Sequence, residues 1–181
     1  LIAERPFAVP GREHLETALA DLDRPWNAGP LSDSARQQLA AHFDVIASLL
    51  EQVDEFAARN AVADRRKVVT HGEPHPGNLI RTAAGLVLVD WDTVALAEPE
   101  RDLWMLADDG ALLDTYERLT GVTLDRKALT AHRLMWALTD IAAYTLQLRD
   151  EHQAGADADR ALAAIRSILH GGEPSPYRVN S

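Results

Sequence analysis

Two stretches decide the fold: HGEPHPGN at positions 71–78 and LVLVDWD at positions 86–92. The first is a polar loop that its prolines keep from being helical, and the second is an apolar run that ends in two carboxylates. A carboxylate in a stiff loop suits a base that must be held in place. Amide and carboxylate oxygens are the ligands that Mg²⁺ prefers. Together the stretches predict a magnesium-dependent phosphoryl-transfer site.

Four residues of these stretches carry the predicted chemistry. Glu73 can accept the hydrogen bond of an attacking alcohol and orient it, as a general base does. Asn78 and Asp90 offer an amide oxygen and a carboxylate, and two protein ligands plus phosphates suffice for Mg²⁺. Asp90 follows a run that should be buried, so its charge needs a partner such as a cation. Asp92 shares the alternation phase of Asp90 if the strand continues, and is otherwise a turn residue.

The two histidines leave another interpretation open. His71 and His75 can be read as zinc ligands together with Glu73, which would indicate a metal-dependent hydrolase. The helical His-Glu-x-x-His pattern is absent, because the residue order differs and proline breaks the helix. The His-x-Glu spacing matches half of the zinc deaminase signature, but a chain without cysteine lacks the other half. We therefore expect His71 to be a buried, hydrogen-bonding residue that braces the loop.

The composition restricts the class of protein. With 181 residues, 46% of them hydrophobic, the chain is long and apolar enough for one globular domain. The formal charge of −10 and the lack of a basic stripe argue against a nucleic-acid partner and are compatible with a cationic small molecule. No membrane-length apolar run, signal peptide or cysteine is present, so we expect a cytoplasmic protein with no membrane partner.

The spacing of apolar residues predicts a mostly helical chain with a small β-hairpin. Ser32 is expected to be the N-cap of one long helix that extends to about position 57, with Phe43 on its buried stripe. The other helices are expected at 15–22, 99–107, 112–119, 125–148 and 161–169. Strands are expected at 67–70, 79–81 and 86–89, the last two joined by a turn at 83–85.

Acids on the later helices are candidates for binding a cationic acceptor. Asp140 is the most interesting, because it interrupts an otherwise apolar helix, and Asp150 is the second choice. Asp108, Asp109 and Glu151 are further candidates. Each of these acids has a plain alternative as a solvated surface residue.

These residues resemble a known family. The loop at 71–78, the sequence VDWD at 89–92 and the sequence EPERDL at 98–103 are similar to motifs of the aminoglycoside phosphotransferase and choline kinase superfamily. Its members have a protein-kinase-like fold. The resemblance implies that residues 1–173 form the C-terminal catalytic lobe of that α+β fold, and that 174–181 are a tail. It also implies ATP or GTP as co-substrate, Mg²⁺ as cofactor and a small-molecule hydroxyl as acceptor.

The resemblance also implies roles for single residues. Glu73 stands where the family usually has its catalytic Asp. Asn78 and Asp90 stand at the magnesium ligands, and Asp92 at an acid often found beside them. His75 is grouped with Asn78 and Asp90 on the cofactor-binding side of the loop.

Two further residues match the predicted catalytic loop and the acid that supports it. His71 matches the structural histidine of the loop, and Asp102 matches the acid that braces it.

Two features depart from the family. Glu73 is longer than the usual Asp by one methylene, which shifts the carboxylate by roughly 1 Å, enough to affect catalysis. No glycine-rich loop or lysine strand precedes the motif. The lobe that covers ATP in this family is therefore expected outside this chain, which opens on Leu1 rather than Met.

The sequence thus predicts ATP- or GTP-dependent phosphoryl transfer to a hydroxyl of a small molecule, such as an aminoglycoside-type antibiotic or an amino alcohol. Two other functions stay open: a catalytically inactive kinase-like module that binds a cationic ligand, and the metal-dependent hydrolase. Without a covering lobe the isolated chain is expected to show no measurable transfer, because positioning provides nearly all of the catalysis. Apolar residues around 87–94 are expected to be exposed where that lobe would lie.

Overall fold

The computed structural model describes residues 2–61 and 66–172. These residues form two compact units, one with residues 2–7, 55–61 and 66–133 and the other with residues 8–54 and 134–172. The expected tail at 174–181 lies outside the described residues. Within the described ranges, no helix combines the length and the apolar character needed to cross a membrane.

Helices make up most of the regular structure, as the sequence predicted. Their bounds are α1 Arg12–Leu19, α2 Ser32–Ala41, α3 Phe43–Asn60, α4 Glu100–Leu103, α5 Gly110–Thr120, α6 Arg126–Arg149 and α7 Ala156–Leu169. The helix expected at 99–107 is shorter, because α4 gives way to a 3-10 turn at Trp104–Leu106. In the second unit α2 contacts α1 and α7, and the apolar faces of these helices are buried.

The predicted single helix from Ser32 is wrong. It is interrupted at His42, which leaves the helical conformation with φ −120° and ψ 21° and whose Nδ1 lies 2.9 Å from the carbonyl oxygen of Gln38. The carbonyl of His42 then accepts the N–H of Ile46, so that α3 begins at once. Phe43, expected on the buried stripe, lies at this break and is 45% exposed. Ser32 is the first residue of α2 and not its N-cap.

Four short strands in the first unit position the two motifs. β1 (Val68–Thr70) pairs antiparallel with β4 (Ala95–Ala97), and β2 (Leu79–Thr82) pairs antiparallel with β3 (Gly85–Leu88). The loop at 71–78 leads from β1 to β2, and the loop at 89–94 leads from β3 to β4. Since the same two strand pairs are joined by both loops, the loops run side by side. The sequence predicted the hairpin and β1 but not β4.

The first strand pair has a further neighbour. The N–H of Leu96 donates to the carbonyl of Ala3 at 2.9 Å, and the N–H of Arg5 donates to the carbonyl of Leu96 at 3.3 Å. Glu4 thereby forms a parallel bridge with Leu96. The chain segment at 3–5 therefore covers the free edge of β4, which secures the strand that follows the second loop.

Candidate active site

A closed ring of four hydrogen bonds joins the two motifs. The side-chain nitrogen of Asn78 donates to the carbonyl of Glu73 at 2.9 Å, and the N–H of Val89 donates to the carbonyl of Asn78 at 2.9 Å. His71 completes the ring, because its Nε2 lies 2.8 Å from the carbonyl oxygen of Val89 and its Nδ1 accepts the N–H of Glu73 at 3.2 Å. A carbonyl can only accept, so the proton of the neutral imidazole is placed on Nε2. The ring fixes Glu73 and Asn78 relative to the residue that precedes Asp90.

Asp102 holds the start of the first loop. Its two carboxylate oxygens accept the N–H groups of His71 and Gly72, both at 2.7 Å. The hydroxyl of Thr93 donates to the carbonyl of His71 at 2.7 Å, so the second loop is tied to the same point. His71 is only 2% exposed. Its backbone and ring are thus bonded on every side, which agrees with a bracing residue and leaves no free nitrogen for a ligand.

Asp90 adopts an unusual backbone conformation. Its φ is +64°, and among the described residues it is the only non-glycine with a positive φ. Such a conformation is costly for a residue with a Cβ and persists only where the surroundings enforce it. Here Val89 is hydrogen-bonded on both sides of its backbone, and Trp91 donates its Nε1–H to the carbonyl of Leu88 at 3.0 Å. The surrounding hydrogen bonds thus hold the backbone on both sides of the exposed Asp90.

Asp92 is the turn residue that the sequence left as one of its two alternatives, and the alternation argument does not apply. It required the strand to continue past Asp90, but β3 ends at Leu88 and Asp92 lies in a turn. The turn arises because the chain must leave the hairpin and pair with β1. Asp92 is exposed and lies two residues from Asp90, so a role beside the metal stays a prediction.

Glu73 combines a fixed backbone with an unengaged carboxylate. Its N–H and carbonyl both belong to the hydrogen-bonded ring, and the residue is half-buried. In the part of the chain that the structure describes, the carboxylate oxygens form no hydrogen bond or ion pair. A residue whose backbone is fixed and whose carboxylate is available for a hydrogen bond meets the geometric requirement for a base. Its catalytic role remains a prediction.

The residues suit a hard divalent cation. Asn78 is 8% exposed, and its side-chain nitrogen donates to the carbonyl of Glu73. Its side-chain oxygen therefore points away from that carbonyl, and it has no hydrogen-bond partner among the described residues. Asp90 adds an exposed carboxylate just beyond the ring. No group of three or more His, Asp and Glu side chains that could hold a metal occurs at 2–61 and 66–172. One amide and one carboxylate oxygen fit Mg²⁺, which completes its shell with phosphates and water.

The zinc interpretation is not supported by the histidines. His71 uses both ring nitrogens inside the loop. His75 caps the 3-10 turn Pro76–Asn78, because its Nδ1 accepts the N–H of Gly77 at 3.1 Å. Both imidazole rings therefore form hydrogen bonds that stabilise the loop. The sequence analysis also expected His75 on the cofactor-binding side of the loop. A cofactor contact of His75 stays a prediction.

The expected acceptor residues lie in the other unit, on and after α6. Asp140 is half-buried within the helix. Asp150 lies just after the helix and lines a cavity of about 330 Å³, together with Trp26, Asn27 and other residues. The same cavity is lined by Asp21 and Arg149, whose side chains are joined by a hydrogen bond of 2.7 Å. Sequence reasoning did not find this cavity, since the residues that line it are more than a hundred positions apart.

Two functional residues were missed by sequence reasoning. Thr93 ties the second loop to the first, and Arg101 donates to Thr70 and to the carbonyl of Thr93. For Arg101 a signal existed, because it immediately precedes Asp102 in a motif that had already been singled out. For Thr93 none did, since a threonine in a turn is common.

Comparison with known proteins identifies the relatives. Among solved structures, two of spectinomycin phosphotransferase APH(9)-Ia are similar: the complex with ADP and spectinomycin has a TM-score of 0.73, and the AMP-bound complex 0.72. Both are 16% identical in sequence. The similarity covers 93% of this chain but only 56% and 57% of the longer ones, so the chain spans little more than half their length. No curated protein matches significantly.

A family model adds evidence from the sequence. The model of the phosphotransferase enzyme family, APH, matches residues 8–131, a range that contains both loops and Asp102. The match covers more than half of the chain. The chain therefore belongs to the APH phosphotransferase family, which confirms the superfamily that its motifs resemble.

Proposed function

We propose that the protein transfers the γ-phosphoryl group of ATP or GTP to a hydroxyl of a small molecule. The observation that carries this proposal is the closed ring of hydrogen bonds through Glu73, Asn78, Val89 and His71. It fixes a free carboxylate, an amide oxygen and the strained Asp90 within one rigid frame. Phosphoryl transfer depends almost entirely on such positioning, because the transition state requires little covalent help from the protein.

In this mechanism Glu73 is the base. Its carboxylate accepts the hydrogen bond of the acceptor hydroxyl, orients the oxygen for attack and takes up the proton as the new bond to the γ-phosphorus forms. In the same step the bond from the γ-phosphorus to the bridging oxygen breaks, and ADP or GDP leaves. The ring supports this role, because Glu73 is held through its own N–H and carbonyl and loses little freedom when the acceptor binds. Asp102 contributes indirectly by holding the two N–H groups that precede Glu73.

Asn78 and Asp90 would hold the Mg²⁺ ion. When bound, the ion neutralises the charge that develops on the phosphates. Asn78 contributes an oriented amide oxygen, and Asp90 contributes a carboxylate on a backbone held at a φ of +64°. We propose Asp92 as an acid beside the ion and His75 as a residue on the nucleotide side of the loop.

An exposed apolar surface beside the two loops supports the assignment to a C-terminal lobe. The hairpin that lies between the loops exposes Ile80, Leu86 and Val87 by 45–60%, and Trp91 in the second loop is 48% exposed. A surface of this kind favours a partner over water. We propose that it faces the nucleotide and the polypeptide that covers it. The similar solved structures, which were obtained with ADP or AMP, extend well beyond the part that this chain matches.

The proposal is tested by assaying ADP release with Mg²⁺, ATP or GTP, and a panel of aminoglycosides, amino alcohols and sugars. The assay uses both the 181-residue chain and the full polypeptide that its gene specifies. We expect release that depends on an acceptor, and a phosphomonoester signal in ³¹P NMR. Nucleotide binding without transfer to any acceptor would favour an inactive binding module. Hydrolysis that needs zinc and no nucleotide would favour the hydrolase.

We propose that the acceptor is cationic and is bound by Asp140 and Asp150. The cavity beside Asp150 supports this, since the Asp150 carboxylate has no ion-pair partner among the described residues. The hydrogen bond from Arg149 lowers the pKa of the Asp21 carboxyl, so these two remain a neutralised pair. Asp150 is exposed, and its carboxylate has no partner in the described part of the chain. An exposed carboxylate that lines the same cavity as the indole of Trp26 favours an amine.

We expect Asp150→Asn to weaken aminoglycoside binding about fivefold at low salt, since an exposed ion pair contributes up to about 1 kcal/mol. The difference between variant and wild type should shrink in about 0.5 M salt, where charges are screened. Isothermal titration calorimetry measures both. Asp159→Asn is the matched control, because it removes the same charge from the exposed face of α7 outside the cavity. Equal binding by all three proteins, or binding of neutral sugars alone, would contradict the prediction.

A further inference from the structure

Arg101 lies behind both loops and contacts each of them. It belongs to α4 and is only 6% exposed. Its Nη1 donates to the hydroxyl of Thr70, the last residue of β1, at 2.6 Å, and its Nη2 donates to the carbonyl of Thr93 at 2.9 Å. Thr70 in turn donates to the carbonyl of Ala95 at 3.0 Å. One guanidinium thus connects the strand that enters the first loop with the turn that ends the second.

The guanidinium is packed tightly against the first loop. Gly72 has a φ of +100°, and a Cβ at this position would overlap the guanidinium of Arg101 and lie 2.6 Å from the hydroxyl of Thr93. The absence of a side chain at Gly72 therefore does two things. It permits the left-handed backbone, and it leaves room for Arg101 directly against the peptide that precedes Glu73.

The charge of Arg101 is buried. Burial lowers its pKa, while the negative charges of Asp102 and, more weakly, Glu73 oppose the shift. In the part of the chain that the structure describes, no carboxylate lies within ion-pair distance of it. A guanidinium remains protonated in proteins, so a permanent positive charge lies behind the catalytic loop. A buried cation is costly unless its hydrogen bonds are satisfied. Arg101 meets this requirement in part, because Nη1 and Nη2 both donate to oxygen acceptors.

We propose that Arg101 is a positioning residue of the phosphotransferase site. It sets the separation between the loop that carries Glu73 and Asn78 and the loop that carries Asp90. Arg101 acts through Thr70 and Thr93 and touches neither the acceptor nor the nucleotide. This inference rests on the proposed function for its kinetic consequence, but its structural consequence, the mutual order of the two loops, does not.

The planar fork is essential to this role. Lysine has one compact ammonium group on a flexible stem, so it can reach Thr70 or the carbonyl of Thr93 but cannot span both at fixed geometry. Methionine fills a similar volume and keeps neither hydrogen bond. Arg101→Lys should therefore retain the fold and lose the fixed separation, and Arg101→Met should lose more. Arg126→Met is the control, because it removes an exposed arginine of the same unit that pairs with Asp114 and Glu117.

Hydrogen–deuterium exchange tests the structural consequence without any substrate. We expect at least tenfold faster exchange in Arg101→Lys for peptides that cover 70–79 and 88–96. Exchange in α5 should stay unchanged, which separates loop positioning from general destabilisation. Arg126→Met should behave like the wild type throughout. Unchanged exchange in both loops of a folded Arg101→Lys protein would overturn the proposal, whether or not the protein proves to be a phosphotransferase.

Steady-state kinetics of the full-length protein tests the functional consequence. We expect Arg101→Lys to lower kcat about 10- to 100-fold with a less than threefold change in the KM of the acceptor, since misplaced groups act mainly in the transition state. The Mg²⁺ concentration for half-maximal activity should also rise. A wild-type protein without transferase activity would refute the proposed function but leave the exchange result to decide the role of Arg101. Activity with unchanged kcat and Mg²⁺ dependence in the variant would refute the positioning role.

Discussion

We expect Glu73→Gln to lower turnover of the full-length protein by about 10²–10⁴-fold, with little change in nucleotide affinity. Glutamine has nearly the same shape, and the N–H and carbonyl that hold residue 73 in the ring are backbone groups. The frame should therefore survive the substitution. What is lost is the carboxylate that accepts the proton, and this loss affects the transition state more than the ground state.

Rapid-quench measurement of a single turnover tests this expectation, because it separates the transfer step from product release. Nucleotide affinity is measured in parallel by fluorescence titration with Mg²⁺. Glu55→Gln is a suitable control, since it makes the same chemical change on an exposed face of α3, where Glu55 pairs with Arg59. If Glu73→Gln turns over its best acceptor at the wild-type rate, Glu73 is not the base. The free carboxylate would then need another explanation.

The fold was predictable to the extent that local pattern determines it. The helices and the hairpin follow from apolar spacing, and the hairpin turn at 83–85 was recognised from Gly85. The break at His42 was not predictable, because α3 restarts at Phe43 without changing the phase of the apolar residues. The short strand β4 was missed for a related reason. Its three residues gain their structure from pairing with β1 and with the segment at 3–5, and such distant contacts leave no periodicity in the sequence.

The candidate site was predictable in its residue types but not in its architecture. Glu73, Asn78 and Asp90 are recognisable because carboxylates and amides in this order suit one kind of chemistry. What holds them together is mostly backbone: the N–H and carbonyl groups of Glu73 and Val89 and the carbonyl of Asn78 form most of the ring. Since every residue has these groups, side-chain identities do not reveal which of them will pair. Asp92 shows the same limit, because a turn set by β4 moved it off the expected strand face.

Asp102→Asn is expected to have the second-largest effect, although Asp102 need not touch a substrate. Its two oxygens accept the N–H groups of His71 and Gly72, both at 2.7 Å. An asparagine has one oxygen for these two donors, and its amide group faces the other N–H with a donor. Leaving a largely buried N–H unsatisfied costs about 1–3 kcal/mol, and the loss of charge weakens the remaining bond.

The loop should respond by moving, because that relieves the clash between two donors. A displacement of about 1 Å at the base lowers the rate by about 10²-fold, so we expect turnover to fall by at least that factor. Asp125→Ala is the control for general destabilisation, since Asp125 also accepts a backbone N–H, that of Lys127 at the start of α6 at 2.8 Å, and the loss of such a cap costs about 1 kcal/mol. Both variants should lose stability in denaturant unfolding, whereas only Asp102→Asn should lose activity at temperatures where both proteins are folded. Equal losses of activity in the two variants would mean that Asp102 acts through general stability and does not position the catalytic loop.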